Sequence, residues 1–114
     1  MIAGTALITG AGGFVGPYLG AELRLEGWVV KGIDIKDDNN RGCSVIHRCD
    51  IRDREMLASI INSDEPDRVF HLASLSHIPR SWESPKLVCD INLMGLINLM
   101  ECLRDNRSTA RALI

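Results

Sequence analysis

The chain has 114 residues, 46% of them hydrophobic and 25% charged, which excludes both a two-domain enzyme and a disordered polymer and calls for one packed core. Thirteen basic residues against fifteen acidic ones leave a net charge of −2 with no block of like charge, so nucleic acid is not expected as a partner. No run approaches the roughly 20 apolar residues of a membrane span, and no basic-then-apolar leader pattern opens the chain, so no membrane association is expected and the cytoplasm is the expected location.

Short apolar runs alternate with longer stretches of helical period, the pattern of an α/β fold. Residues 3–9 read as a buried first strand. The glycine-rich turn from Gly10 to Gly16 leads into a helix ending near Gly27, with Leu19, Leu23 and Val15 as its apolar stripe. Trp28 to Ile35 is the second predicted strand, followed by the polar turn Asp37-Asp38-Asn39-Asn40-Arg41-Gly42; Ser44 to Arg48 is a short third strand. Asp53 caps a helix reaching about Ser63, with Met56, Leu57, Ile60 and Ile61 on its apolar face, and Pro66 closes that region. Arg68 to Ala73 is a fourth strand. A loop containing Pro79 then leads to a long helix from Pro85 to about Arg104, in which Val88, Ile91, Gly95, Leu96, Leu99 and Leu103 recur at helical spacing. Ala110 to Ile114 reads as the opening of a fifth strand. Parallel strands joined by right-handed helical crossovers give a doubly wound sheet in a three-layer αβα sandwich, and ligands then bind at the carboxyl ends where strand order reverses, here beside strands one and four.

Cysteines 43, 49, 89 and 102 form no C-x-x-C pair, so reduced thiols are expected. On an extended backbone Cys43, His47 and Cys49 share one face of a strand. Two thiolates and one imidazole still need a fourth ligand, and the spacing matches no structural zinc site, so no metal is expected.

The turn Thr9-Gly10-Ala11-Gly12-Gly13-Phe14-Val15-Gly16 lies between a strand and a helix, the context a diphosphate-binding loop requires. Glycine allows a sharp turn and close backbone approach, while the helix N-terminus presents unpaired N–H groups and a partial positive charge. Gly10, Gly13 and Gly16 satisfy G-x-x-G-x-x-G, and no lysine followed by serine or threonine is present to make a triphosphate loop. Asp34 ends the second strand 18 residues after Gly16, where a carboxylate can accept both ribose hydroxyls of an adenosine and repel a 2′-phosphate. NAD is therefore favoured over NADP, with Lys36 and Arg41 close enough in sequence to offset part of that repulsion. Asp50 and Ile51, after the third strand, can meet an adenine through a carboxylate and a backbone N–H; a cap on the following helix is the alternative for Asp50. His71 is read as a hydrogen-bonded core residue.

These motifs, with His71-Leu72-Ala73-Ser74 and Asn92-Leu93-Met94-Gly95 followed by Leu99-Met100-Glu101, resemble the extended short-chain dehydrogenases/reductases, and among them the NAD-dependent epimerase/dehydratase family that acts on sugar nucleotides. The stretch Ser76-His77-Ile78-Pro79-Arg80-Ser81-Trp82, with Pro85, is similar to the GDP-mannose 4,6-dehydratases and the GDP-4-keto-6-deoxymannose reductases. The resemblance implies that Gly10, Gly13, Phe14, Val15 and Gly16 cradle the pyrophosphate, Asp34 and Ile35 hold the adenosine ribose, and Asp50 and Ile51 hold the adenine. It also implies that Leu72, Ala73 and Ser74 line the cofactor, with Ser76 on the nicotinamide side. Asn92 matches the family's helix asparagine; a helix-to-helix hydrogen bond is the alternative.

The family's chemistry uses a Tyr-x-x-x-Lys pair, whereas the single tyrosine here, Tyr18, sits in the first helix with Glu22 four places on. The expectation is thus an N-terminal NAD(P)-binding Rossmann domain over residues 1–114, truncated at about the fifth strand, without a substrate domain and without catalysis of its own. Its parent would move hydride to and from NAD at a sugar carbon, as an oxidoreductase or lyase. The competing readings are a short non-catalytic dinucleotide sensor or interaction module, and an inert α/β fragment. An open sheet edge predicts self-association into a homo-oligomer.

Overall fold

A computed structural model describes residues 2–36, 42–75, 82–106 and 108–114. Most of the polar turn after Asp34, at positions 37–41, and the stretch Ser76–Ser81 lie outside the described residues. Five parallel strands, β1 (Gly4–Thr9), β2 (Trp28–Asp34), β3 (Val45–Arg48), β4 (Arg68–His71) and β5 (Arg111–Leu113), form one sheet in the order β3-β2-β1-β4-β5. The chain winds outward from β1 to β3, then returns to the other side of β1 as β4. This reversal puts the carboxyl ends of β1 and β4 at the switch point.

Alternation along β1 assigns its side chains to two cores. Ala6 and Ile8 pack with Val30, Leu23 and Cys43 beneath α1 (Gly16–Leu25). Leu7 packs with Ile33, Val69, Leu57, Ile61, Leu99 and Leu103 beneath α2 (Arg54–Asp64) and the C-terminal helix. Each fully buried aliphatic side chain here contributes roughly 1.5–3 kcal/mol. The three-layer doubly wound sandwich is present, and no helix among the described residues is long and apolar enough to cross a membrane.

Several local expectations need correction. Val15 is 53% exposed and Met56 43% exposed, so neither joins the apolar stripe assigned to it; α1 instead buries Pro17, Gly20 and Leu23. β4 ends at His71 rather than Ala73, because Leu72 to Ser74 turn away into the ligand end of the sheet. The long helix is interrupted: α3 (Pro85–Cys89) runs into a π-helical turn at Asp90–Met94 and then into α4 (Gly95–Asp105). Two contacts account for the widened turn. Asn92 is drawn to the loop after β4, and Gly95 lies so close to α2's leading loop that a Cβ would stand 2.6 Å from Cγ2 of Ile51.

Cys43, His47 and Cys49 are not brought together. Cys43 belongs to the α1 core and Cys49 to the α2 core, while His47 Nε2 lies 2.8 Å from Asp64 Oδ2. The turn before β3 lets Cys43 fall on the opposite side of the sheet. Asp64, with a side chain only 3% exposed, also accepts from Lys31 Nζ at 3.2 Å. Replacing the buried Asp64 with alanine leaves the partly buried Lys31 and His47 without their shared acceptor, and urea unfolding should register a loss of about 1–3 kcal/mol.

Candidate functional site

A cleft of about 310 Å³ opens at the carboxyl ends of β1, β2 and β4. Its floor is the glycine turn. The N–H groups of Gly10 and Ala11 both donate to Ile33 O, at 2.8 and 3.1 Å, which pins the turn to the end of β2. Gly10 has φ +70°, and a Cβ there would stand 2.8 Å from Ala73 N, so glycine is required both by conformation and by contact with the β4 loop. At Gly16 the reason is space alone: a Cβ would lie 2.1 Å from Ala11 O. Gly13 differs, since a Cβ would meet only Gly10 O, at 3.3 Å. The protein's own packing makes little demand for glycine at a position that lines the cleft.

Beyond the turn, α1 begins at Gly16 with Pro17 in its first turn, no side-chain cap and no acidic residue near its start. α2 is different, because Asp53 Oδ1 accepts from Met56 N at 3.1 Å. An uncapped helix start beside a glycine turn suits an anion.

Asp34 stands at one end of the cleft. Its Oδ2 accepts from Gly12 N at 2.8 Å and its Oδ1 from Lys36 N at 3.3 Å, so the carboxylate at the end of β2 is tied to the glycine turn. Ile35 is exposed beside it and also lines the cleft. Asp50 and Ile51 form the adjoining wall. Asp50 does not cap α2; its oxygens take Arg52 Nε at 3.0 and 3.2 Å, Arg52 Nη2 at 2.7 Å and Arg52 N at 2.9 Å. The hydrogen-bonded Arg52 guanidinium holds the Asp50 carboxyl below the usual carboxylate range. Cys49 lies against this wall, its thiol pushed up to about 11 by burial and, secondarily, by Asp53 and Asp50. It is a packed thiol, not a nucleophile.

The opposite wall is Leu72, Ala73, Ser74 and Leu75. Asn92 holds this segment from the helix side, accepting from Leu75 N at 2.7 Å through Oδ1 and donating to Leu75 O at 2.8 Å through Nδ2. Its bond is therefore to the cleft loop, not to another helix. From the sheet side, Thr9 Oγ1 takes the N–H groups of Leu72 and Ala73, both at 3.1 Å. His71 is hydrogen-bonded as expected, with Nδ1 2.7 Å from Thr9 Oγ1.

Nine of the candidate residues thus meet at one cleft: Gly10, Gly13, Asp34, Ile35, Asp50, Ile51, Leu72, Ala73 and Ser74. Gly16 is buried behind the turn, and Phe14 and Val15 stand exposed beside it, Phe14 with its ring centroid 6.0 Å from that of Tyr18. Ser76 lies outside the described residues. Ile33, Cys49, Arg52, Leu75 and Ile91 line the cleft without having been singled out for it. Arg52 carried a signal, a cation two residues after an aspartate at a strand end, whereas Ile91 resembled an ordinary helix-stripe residue.

The sequence profile of the GDP-mannose 4,6 dehydratases matches residues 7–114. The chain belongs to this family. A GDP-mannose 4,6-dehydratase from Sordaria araneosa is 36% identical over 109 residues, covering 88% of this chain and 20% of that protein. The GDP-mannose 4,6-dehydratase of Vibrio cholerae is 31% identical over 114 residues, covering 87% and 31%. Among solved structures, the UDP-glucose 4-epimerase of Thermus thermophilus in complex with NAD superposes with a TM-score of 0.81 at 30% identity, over 90% of this chain and 34% of that one. The Stenotrophomonas maltophila UDP-glucose-4-epimerase, with bound NAD and formylated UDP-arabinopyranose, gives 0.82 at 27% identity, over 92% and 34%. This member of the dehydratase family accordingly spans between 20% and 34% of the length of these relatives.

Proposed function

We propose that residues 1–114 are the dinucleotide-binding portion of an enzyme that dehydrates or epimerises a sugar nucleotide, with NAD as the preferred cofactor. The observation that carries this reading is the Asp34 carboxylate, placed at the end of β2 and joined to the glycine turn through Gly12. A diphosphate lying over Gly13 finds no side chain on that residue and faces the uncapped start of α1, whose leading N–H groups can donate to it. From there the adenosine ribose reaches Asp34 and Ile35, and the adenine reaches Asp50 and Ile51. Leu72, Ala73 and Ser74 line the opposite side of the dinucleotide, with Ser76 assigned to its nicotinamide end.

Bound NAD would supply a hydride acceptor and donor for oxidation and reduction at a sugar carbon. This chain's residues bind and orient it: the turn fixes the diphosphate, Asp34 excludes a 2′-phosphate by charge, and the apolar Leu72 and Ala73 keep water from one face. NAD at 100 times its Kd should stabilise the chain by about 2.7 kcal/mol, a rise in Tm of roughly 10 °C for a domain of this size. NADP at equal concentration should give a smaller rise. A thermal-shift series in which neither cofactor moves Tm would refute the assignment.

A further inference from the structure

The fully buried Thr9 hydroxyl is the meeting point of three hydrogen bonds. Two of its partners, Leu72 N–H and Ala73 N–H, can only donate, so they occupy both lone pairs of Oγ1. The hydroxyl hydrogen must then go to the third partner, His71 Nδ1, which has to be unprotonated. The arrangement thus specifies a neutral His71 carrying its proton on Nε2. Leu72 N–H is shared with Thr9 O at 3.1 Å, whereas Ala73 N–H depends on the hydroxyl. Ala73 also bears on Gly10, whose missing Cβ leaves room for it. The ring's tautomer therefore reaches two sides of the cleft.

We propose that neutral His71 is a positioning residue for the cleft: by accepting the Thr9 hydroxyl at Nδ1 it holds Leu72 and Ala73 in place, and its protonation releases them and weakens dinucleotide binding. The binding half of this proposal rests on the dinucleotide reading of the cleft. Protonation turns Nδ1 into a donor facing an oxygen with no lone pair left, and strands the hydroxyl hydrogen. One of the bonds to Leu72 or Ala73 must break.

The surroundings favour the neutral ring. Burial lowers the His71 pKa below its ordinary value, with no charged neighbour among the described residues contributing. β1 carries no ionisable side chain, and the one on β5, Arg111, is in register with Arg68 at the far end of β4. Asp50 is paired with Arg52, Asp90 with Lys86, and Asp34 accepts backbone N–H groups. Because the folded pKa is depressed, the stabilisation is complete above the unfolded histidine value near 6.5. It is lost as pH falls through the folded value.

The test is nitrogen-15 NMR of the 114-residue chain without ligand, followed by NADH titration. At pH 7.5 the His71 ring should show an unprotonated Nδ1 and a protonated Nε2, and the Ala73 amide should titrate with the same midpoint as the ring, below 6.5. If only the neutral form binds, NADH affinity should fall about tenfold for each pH unit below that midpoint. His71→Asn, which offers a non-titrating acceptor near the Nδ1 position, should flatten this dependence. Thr9→Ser should retain it and Thr9→Val should lose the Ala73 signature. An Nδ1-protonated neutral ring, or an Ala73 amide indifferent to the ring's titration, overturns the proposal even if every variant fails to fold. An intact NMR signature with no NADH binding at any pH overturns the dinucleotide reading, and with it the binding half alone.

Discussion

Asp34→Ala should weaken NADH binding by roughly 10- to 100-fold, the equivalent of losing a charge-assisted hydrogen bond worth about 1.5–3 kcal/mol. Two losses combine: the ribose hydroxyls lose their acceptor, and Gly12 N–H loses the oxygen 2.8 Å away that anchors the turn. Asp34→Asn separates them, since an amide oxygen can still take the Gly12 hydrogen bond while the charge is gone. Its affinity should fall between those of wild type and alanine, and its preference for NADH over NADPH should narrow because nothing repels the 2′-phosphate. Fluorescence titration with both reduced cofactors is the measurement. Superimposable wild-type and alanine curves would remove Asp34 from the ribose site.

The second large effect separates folding from binding within a single turn. Gly10→Ala forces a side chain into φ +70° and drives its Cβ to 2.8 Å from Ala73 N and 2.9 Å from Leu72 C, both backbone atoms. The conformational strain alone costs about 1–3 kcal/mol, and urea unfolding should show at least that loss. Gly13→Ala meets only Gly10 O at 3.3 Å, so its unfolding midpoint should stay within about 1 kcal/mol of wild type. Its NADH affinity should nevertheless drop sharply, because the added methyl occupies the diphosphate's path. Equal affinity in Gly13→Ala and wild type would mean that the diphosphate does not cross this turn.

The strand–turn–helix signature was legible because its information is local: Gly10, Gly13 and Gly16 lie within seven positions, and Asp34 ends the very next strand. The switch point beside strands one and four was legible for a related reason, since alternating strands and helices leave few parallel topologies open. The devices that shape the cleft were not. Thr9 meets His71, Leu72 and Ala73 across 62 to 64 residues, and Asn92 meets Leu75 across 17, so neither partnership has a sequence period. The π-helical turn was invisible because Val88, Ile91 and Gly95 keep an unbroken apolar spacing through it. Val15 and Met56 were misassigned for a simpler reason: both flank an apolar stripe, where hydropathy cannot say which edge the neighbouring sheet covers. Arg52 fell between the two cases, adjacent to Asp50 in sequence yet paired with it only because the chain bends after β3.

The bond between Gly12 and Asp34 is made entirely by the chain's own atoms. The entropy of immobilising the glycine segment is therefore spent during folding, so association leaves less backbone freedom to be surrendered at the encounter.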